Sequence, residues 1–247
     1  MIKAVVFDLD NTLTDFMKMK EAAVSGAAEA MIDAGLKKTL PEVRQEINEI
    51  YREKGIEYQQ VFDIYLQRTL GHIDHKVKAA GIVGYRRARE STLILYPHVN
   101  LVLHGLIKRG IKLAVVSDAP TPQAWLRLCQ LQLQHVFDAV VTYDDTQKRK
   151  PDPAPFSLAL ERLGVTPGEA VMIGDWPERD VVGAKALGMT TVFARYGDTF
   201  GTTPGHSGAD AEIDDVYELL EFIDRRNQAL AAAAPGGPAT ASGGSVA

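Results

Sequence analysis

The stretch VVFDLDNTLTD, residues 5–15, places two acidic side chains, Asp8 and Asp10, directly after a short apolar run. Parallel strands that are buried on both faces have near-continuous apolar sequences, so residues 4–7 predict such a strand. In open α/β sheets, ligands bind beyond the carboxyl ends of the strands. Because a spacing of two directs both side chains to the same side, Asp8 and Asp10 are predicted to face a functional crevice. On this stretch alone, a turn that caps the next helix explains the same residues equally well.

The second half of the chain alternates short apolar runs with helical patterns. The runs that predict buried strands cover residues 111–117, 138–142, 170–174 and 190–194. Helices are predicted between them, at residues 121–133, 153–163 and 179–187. Strands that alternate with helices indicate right-handed βαβ units and a parallel sheet. We therefore predict an α/β fold, in which residues 1–14 and 96–228 form a Rossmann-like parallel sheet core with helices on both faces.

Residues 15–95, between the first strand and the rest of the predicted sheet, have no convincing strand pattern. Apolar residues there recur at helical spacing instead, as at Val43, Ile47 and Ile50. Helices joined by short loops form a small bundle, so this segment is predicted to be an inserted α-helical cap domain. Residues 229–247 are rich in Ala, Gly, Pro and Ser. They are predicted to be a disordered tail, because this composition buries too little apolar surface to become ordered.

Composition narrows the functional class. The 247 residues carry a net charge of −5 and a pI of about 5.7, so nothing favours binding to nucleic acid or to an anionic membrane. The single cysteine, Cys129, excludes an internal disulfide and a cysteine-based metal cluster, which is typical of a reducing cytoplasm. No stretch approaches the ~20 apolar residues of a membrane helix. We expect a soluble cytoplasmic protein, either a monomer or a homodimer.

Four further polar residues follow the predicted strands or lie in their loops: Ser117, Lys150, Asp175 and Asp180. Each has an ordinary structural explanation, because a serine or aspartate at a strand end often caps a helix or closes a turn. A lysine in a loop is usually solvated. However, the carboxyl ends of parallel strands meet at one edge of the sheet. Together with the two aspartates after the first strand, these residues are therefore predicted to converge on one polar crevice.

In this order the residues resemble the four motifs of the haloacid dehalogenase superfamily, in its capped phosphatase branch (subfamily I, with a helical C1-type cap). FDLDNT (7–12) is similar to the Asp-x-Asp-x-Thr motif, VVSD (115–118) to the strand-end serine motif, KPDP (150–153) to the lysine motif and GDWPERD (174–180) to the Gly-Asp-x4-Asp motif. The resemblance covers residues 1–225. Within the branch, YRRARES, YPHV and KPDPAPFSLAL resemble the glyceraldehyde-3-phosphate phosphatase-like group.

The resemblance implies a Mg²⁺-dependent phosphatase that acts on small organic phosphate monoesters, such as glyceraldehyde 3-phosphate or phosphoglycolate. Asp8 would attack phosphorus and form an aspartyl-phosphate. Asp10 would protonate the leaving alkoxide and then activate the hydrolytic water, with Thr12 holding it in place. The implied Mg²⁺ ligands are the carboxylates of Asp8 and Asp175 and the backbone carbonyl of Asp10, with Asp180 close by. The residues implied in binding the phosphate group are Thr12, Ser117, Asp118 and Lys150.

Two other functions use similar residues. The dehalogenase branch also has an aspartate nucleophile, but a halide leaving group needs no proton, so Asp10 argues against a 2-haloacid dehalogenase. A phospho-aspartate signalling or binding protein without turnover is opposed by the long cap and by the position of the aspartate on the first strand. Substrate choice is predicted to lie in the cap. The cationic candidates there are Lys18, Lys20, Arg86, Arg87 and Arg89.

Overall fold

A computed structural model describes residues 1–232 of the chain, and its centre is a six-stranded parallel sheet. The strands are β1 (Ala4–Phe7), β2 (Lys112–Val116), β3 (Ala139–Val141), β4 (Ala170–Gly174), β5 (Thr190–Ala194) and β6 (Ala211–Ile213). Their spatial order is β3-β2-β1-β4-β5-β6. The strand that precedes Asp8 therefore lies inside the sheet, with β2 and β4 as its neighbours.

Ten α-helices accompany the sheet within residues 1–232. They are α1 (Phe16–Asp33), α2 (Leu40–Lys54), α3 (Val61–Leu70), α4 (His75–Thr92), α5 (Val99–Lys108), α6 (Thr121–Gln130), α7 (Tyr143–Thr146), α8 (Pro153–Leu163), α9 (Val182–Ala186) and α10 (Glu218–Ala232). No helix among these residues combines the length and the apolar character needed to cross a membrane.

Helices cover both faces of the sheet, as predicted. On one face, Val5 and Phe7 of β1 pack in a core with residues of α5, α6 and α10. On the other face, Ala4 and Val6 pack in a core with residues of α8 and α9. Successive residues of a strand point to opposite faces, and here both faces are buried, which explains why the run AVVF is apolar at every position. The prediction of an α/β fold with a parallel sheet is confirmed.

Some element boundaries differ from the sequence-based prediction. β6, α5, α7 and α10 are not predicted from the sequence. β6 is only three residues long and includes Glu212, so it lacks the continuous apolar run that identified the other strands. The helix predicted at residues 179–187 is divided into a π-helical turn, Pro177–Val181, and the short α9.

Four helices, α1 to α4, make up the segment between β1 and α5, and they have an apolar core of their own. The two long helices, α1 and α4, approach each other closely at a pair of glycines. A Cβ atom on Gly84 would lie 2.2 Å from the carbonyl oxygen of Gly26. Only glycine at this position allows the two backbones to pack together, so these residues set the distance between α1 and α4.

The chain enters and leaves this helical segment through two connectors that lie side by side. Thr14 forms a β-bridge with Leu95. The hydroxyl of Thr14 donates to the carbonyl of Ile94 at 2.5 Å, and the amide of Tyr96 donates to the carbonyl of Leu13 at 3.0 Å. These contacts lie at the predicted limits of the cap, residues 15 and 95.

The predicted C-terminal tail begins too early. Helix α10 continues to Ala232, four residues into the segment 229–247 that was predicted to be disordered. Residues 229–232 are Ala, Leu, Ala and Ala, and alanine and leucine have the highest helix propensities. The rest of that prediction, residues 233–247, lies outside the described residues.

Candidate active site

The polar residues after β1, β2 and β4 meet at the carboxyl edge of the sheet, at the base of a cleft. The cleft has a volume of about 1060 Å³ and lies between this edge and the helical segment. The sheet side contributes Asp8, Ser117 and Asp175, and the helical side contributes Lys20 and Glu57 among others. The convergence expected from the strand order is therefore present.

Three buried aspartates form the base of the cleft. Asp8, Asp175 and Asp180 each offer a carboxylate oxygen, and these oxygens lie within 4.8 Å of one another. The ammonium group of Lys150 donates hydrogen bonds to Asp8 at 2.5 Å and to Asp180 at 2.6 Å. Ion pairs this well buried are held together strongly because water does not screen them.

The charges in this cluster do not balance. Burial raises the pKa of Asp8 to about 7 and that of Asp175 to about 9, and in both cases neighbouring aspartates contribute to the rise. Burial alone would lower the pKa of Lys150, but the carboxylates of Asp180 and Asp8 raise it well above its usual range. One ammonium group thus faces three carboxylates. A hard divalent cation prefers oxygen ligands of this kind, so the three aspartates fit such an ion by both chemistry and charge.

The local sequence explains how Asp180 enters the cluster. A Cβ atom on Gly174 would lie 2.2 Å from the Asp180 carboxylate, so glycine at the end of β4 provides the space that this carboxylate fills. The π-helical turn Pro177–Val181 then brings Asp180 back over the strand end. There its second oxygen accepts a hydrogen bond from the amide of Trp176 at 3.0 Å. The spacing in GDWPERD therefore places both aspartates at one point.

The residues implied in phosphate binding divide into two groups. Ser117 and Lys150 line the cleft, and the Ser117 hydroxyl accepts a hydrogen bond from the amide of Ala119 at 3.2 Å. Asp118 also lines the cleft, but its two oxygens accept hydrogen bonds from the Lys150 amide at 2.9 Å and from Arg179 at 3.0 Å. Both oxygens of Asp118 are therefore already paired with groups of the protein itself.

Thr12 is fully buried, and its hydroxyl donates to Asp175 at 3.2 Å. From the sequence, Thr12 is expected to hold Asp10 in place or to bind the phosphate group, and in the structure the side-chain partner of its hydroxyl is Asp175. Between Asp10 and Thr12 the chain turns at Asn11, which has a positive φ of 60°.

Asp10 lies on the side of the cleft that faces the helical segment. One of its oxygens, Oδ2, accepts a hydrogen bond from Arg127 at 3.0 Å. The other, Oδ1, is buried and has no hydrogen-bond partner within the described residues. Burial raises the pKa of Asp10 to about 6, although the neighbouring Arg127 opposes this rise. A carboxyl group with a free oxygen and a pKa near neutrality is suited to proton transfer.

Arg127 was not identified from the sequence. It lies on α6, where Ala124, Arg127 and Leu128 form the buried face of the helix. Its guanidinium group donates to Asp10 and to Glu57, and it lies 4.4 Å from the centre of the Phe16 ring. The sequence feature that could have identified it is an arginine three residues after Ala124 on an otherwise apolar helix face. A single charge on a buried face requires a partner.

Of the five cationic candidates in the helical segment, Lys20 alone is among the residues that line the cleft in the described structure. Its ammonium group donates to the carbonyl of Ile56 at 2.8 Å and to the Tyr85 hydroxyl at 3.0 Å, and burial lowers its pKa to about 8. Arg86 and Arg89 line a second cavity of about 630 Å³. Lys18 and Arg87 are exposed to solvent.

The fold and the aspartate cluster define the class of protein. The family model of the haloacid dehalogenase-like hydrolases matches residues 2–188, and the chain belongs to this family. The resemblance inferred from the four motifs is therefore confirmed.

Individual relatives match nearly the whole chain. A glyceraldehyde 3-phosphate phosphatase from Methanopyrus kandleri is 37% identical, over 90% of this chain and 97% of the relative. A phosphoglycolate phosphatase from Salmonella typhi is 30% identical, over 90% of this chain and 92% of the relative. The crystal structure of a HAD phosphatase from Thermococcus onnurineus superimposes with a TM-score of 0.68 at 30% identity, and the match covers 90% of this chain and 98% of that one.

Proposed function

We propose that this protein is a Mg²⁺-dependent phosphatase that hydrolyses small organic phosphate monoesters. The observation that carries the proposal is the set of groups around Asp8 in one cleft: the carboxylates of Asp175 and Asp180, the ammonium group of Lys150, and a fourth aspartate, Asp10, with one oxygen that has no partner in the described residues. The names of the relatives from Methanopyrus kandleri and Salmonella typhi support the same reaction class.

The first step is attack on phosphorus by Asp8. Its carboxylate lies at the end of a strand inside the sheet and is held by Lys150, so its position is fixed before the substrate arrives. Transfer of the phosphoryl group forms an aspartyl-phosphate and releases the alcohol, which divides one difficult hydrolysis into two easier steps. Lys150 and the hydroxyl of Ser117 line the same part of the cleft, where they offset charge on the phosphoryl oxygens.

The site fits Mg²⁺ through the carboxylates of Asp8, Asp175 and Asp180. When bound, this ion supplies the positive charge that allows a phosphate dianion to approach three carboxylates. Thr12 and Asp118 are assigned supporting roles in this proposal: Thr12 orients Asp175, and Asp118 orients the backbone of Lys150.

Proton transfer is assigned to Asp10. Its free oxygen, Oδ1, donates a proton to the leaving alkoxide in the first step. The same group takes a proton from the water that hydrolyses the aspartyl-phosphate in the second step, which returns Asp10 to its starting state. This assignment also disfavours the dehalogenase alternative, since a halide leaving group does not need the proton.

We further assign residues 15–95 as the cap that covers the substrate. The cap contributes Lys20 and Glu57 to the lining of the cleft, so it contacts the alcohol part of a bound ester. Closure of a cap over a cleft excludes water and selects small substrates over polymers. Glyceraldehyde 3-phosphate and phosphoglycolate, the substrates in the names of the relatives, are of the required size.

The test is a panel of phosphate esters assayed with Mg²⁺ and after removal of divalent ions with a chelator. Turnover of at least one small ester that requires Mg²⁺ and is lost in Asp8→Asn is the expected result. Undiminished turnover in the chelated protein or in Asp8→Asn would overturn the proposal. Two parallel assays address the alternatives: halide release from 2-haloacids for the dehalogenase, and a lasting phosphoaspartate without turnover for the signalling protein.

A further inference from the structure

Arg127 has no role in the proposed reaction so far, although its side chain is buried and paired on both ends of its guanidinium group. The side chain is 8% exposed, and it forms ion pairs with two carboxylates, those of Asp10 and Glu57. We name this arrangement of Asp10, Arg127 and Glu57 the Arg127 bridge. Burying a guanidinium group is costly unless it is paired and hydrogen-bonded, and here both ends of its fork have a partner.

The Arg127 bridge joins parts of the chain that are far apart in sequence. Asp10 follows β1 in the core, whereas Glu57 belongs to the segment between α2 and α3 in the cap. Arg127 itself lies on α6, which packs on the sheet. One side chain that is anchored on the core thus holds both a core carboxylate and a cap loop. Its partners Asp10 and Glu57 line the cleft, whereas Arg127 itself lines the second cavity.

The single hydrogen bond from Arg127 to Asp10 makes the two oxygens of this carboxylate different from each other. Oδ2 is occupied by the guanidinium group, and Oδ1 has no partner in the described residues and is buried beside the cleft. A carboxylate that is fixed through one oxygen loses its freedom to rotate, and the second oxygen is then directed to one place. Proton transfer depends strongly on such geometry, because the acid must lie within hydrogen-bond reach of the leaving oxygen.

We propose that Arg127 is a positioning residue, which orients Oδ1 of Asp10 toward the leaving-group oxygen and ties the loop of Glu57 over the cleft. This inference rests on the proposed phosphatase function. It assigns two effects to one residue: proton transfer through Asp10, and closure of the cap through Glu57.

The experiment compares an aryl ester, p-nitrophenyl phosphate, with an alkyl ester, glyceraldehyde 3-phosphate or the alkyl phosphate of the panel that is hydrolysed fastest. An aryl alcohol is a good leaving group and needs little protonation, whereas an alkoxide needs it. In Arg127→Met we expect kcat to fall about tenfold to a hundredfold for the alkyl ester, within the range of general acid–base catalysis. For the aryl ester the fall should be several times smaller.

A double mutant separates positioning of Asp10 from a structural role. In Asp10→Asn the proton donor is already lost, so adding Arg127→Met should lower kcat for the alkyl ester by less than about threefold. Ethylguanidinium added to Arg127→Ala should restore part of the alkyl-ester turnover and little of the aryl-ester turnover. Equal losses for both esters, or a full further loss in the Asp10→Asn background, would overturn the positioning of Asp10.

Glu57→Gln tests the cap end of the bridge, because it keeps a hydrogen-bond acceptor but removes the charge. It should raise KM for both esters and change the ratio of their kcat values less than Arg127→Met does. If Glu57→Gln reproduced the whole effect of Arg127→Met, Arg127 would act through the cap alone and the positioning of Asp10 would be wrong. If it left KM unchanged for both esters, the tie between Arg127 and the cap would be wrong.

Arg109→Met is the control, since Arg109 also pairs through its guanidinium group with a carboxylate, that of Asp224, but contacts neither Asp10 nor Glu57 in the described residues. If thermal melting shows that Arg127→Met is not folded, Arg127→Lys provides the same comparison. Lysine keeps the positive charge but has no planar guanidinium group to bind both carboxylates. A wild-type protein that is inactive on every ester would refute the proposed function. An active wild type with unaffected Arg127 variants would refute only the present inference.

Discussion

Lys150→Met removes the one ammonium group that faces the three buried carboxylates. Lys150 pairs with Asp8 and Asp180 and is 3% exposed, so its loss leaves negative charge in the interior without a counter-ion. Breaking a buried ion pair by removing one partner costs about 3–5 kcal/mol. For a chain of this size, each kcal/mol lowers Tm by roughly 2–4 °C. We therefore expect the chelated variant to melt roughly 6–20 °C below the wild type.

Thermal unfolding with and without Mg²⁺ measures this effect. Mg²⁺ offsets the same carboxylates, so it should raise the Tm of Lys150→Met more than that of the wild type, by linkage to metal binding. Lys185→Met is the control, because Lys185 pairs with Asp210 on the surface, where an ion pair contributes about 0–1 kcal/mol. If chelated Lys150→Met melted within about 2 °C of the wild type, the charge imbalance that we infer around Asp8 would be wrong.

Three further changes test the assigned roles. Asp8→Asn should abolish turnover, since the amide cannot form the aspartyl-phosphate, and should leave the far-UV circular dichroism unchanged. Turnover at the wild-type rate in this variant would show that another residue is the nucleophile. Asp10→Asn should lower kcat by about 10²–10⁴-fold for alkyl phosphates and much less for aryl phosphates, and equal losses in steady-state assays would contradict its role as the acid. Lys20→Ala should raise KM for esters with a polar or anionic end and leave KM for p-nitrophenyl phosphate unchanged. Arg87→Ala, at an exposed residue, should change neither KM. If the two variants ranked the substrates identically, Lys20 would have no role in substrate recognition.

The strands that were predictable from sequence are those with apolar residues on both faces. β1, β2, β4 and β5 are continuous apolar runs because helices cover both of their faces. β6 lies at the edge of the sheet and is only three residues long, so its pairing with β5 depends on tertiary contacts rather than on its own pattern. The start of the tail was predicted too early because a low-complexity segment can begin with residues that favour a helix.

The candidate site was predictable where it depends on strand ends and not where it depends on the orientation of the cap. Asp8, Ser117 and Asp175 converge because parallel strands end at the same edge. The contact of Arg127 with Glu57 requires the cap loop to lie over α6, and no local pattern states this. The hydrogen bond from Thr12 to Asp175 depends on tertiary contacts in the same way, because the two residues are 163 positions apart in the sequence.

The paired connectors at Thr14 and Leu95 also affect how the chain folds. β1 must find β2 across the whole cap, and the residues that bridge the two connectors, Thr14 and Ile94, are 80 positions apart. The entropic cost of closing a flexible loop grows by about 0.6 kcal/mol for each doubling of its length. If α1 to α4 assemble first around their own core, they hold the two connectors together and leave only a few flexible residues to close. Four halvings of the loop would then lower the barrier to β1–β2 pairing by roughly 2.4 kcal/mol, so a helical segment that folds first would speed the pairing of the sheet into which it is inserted.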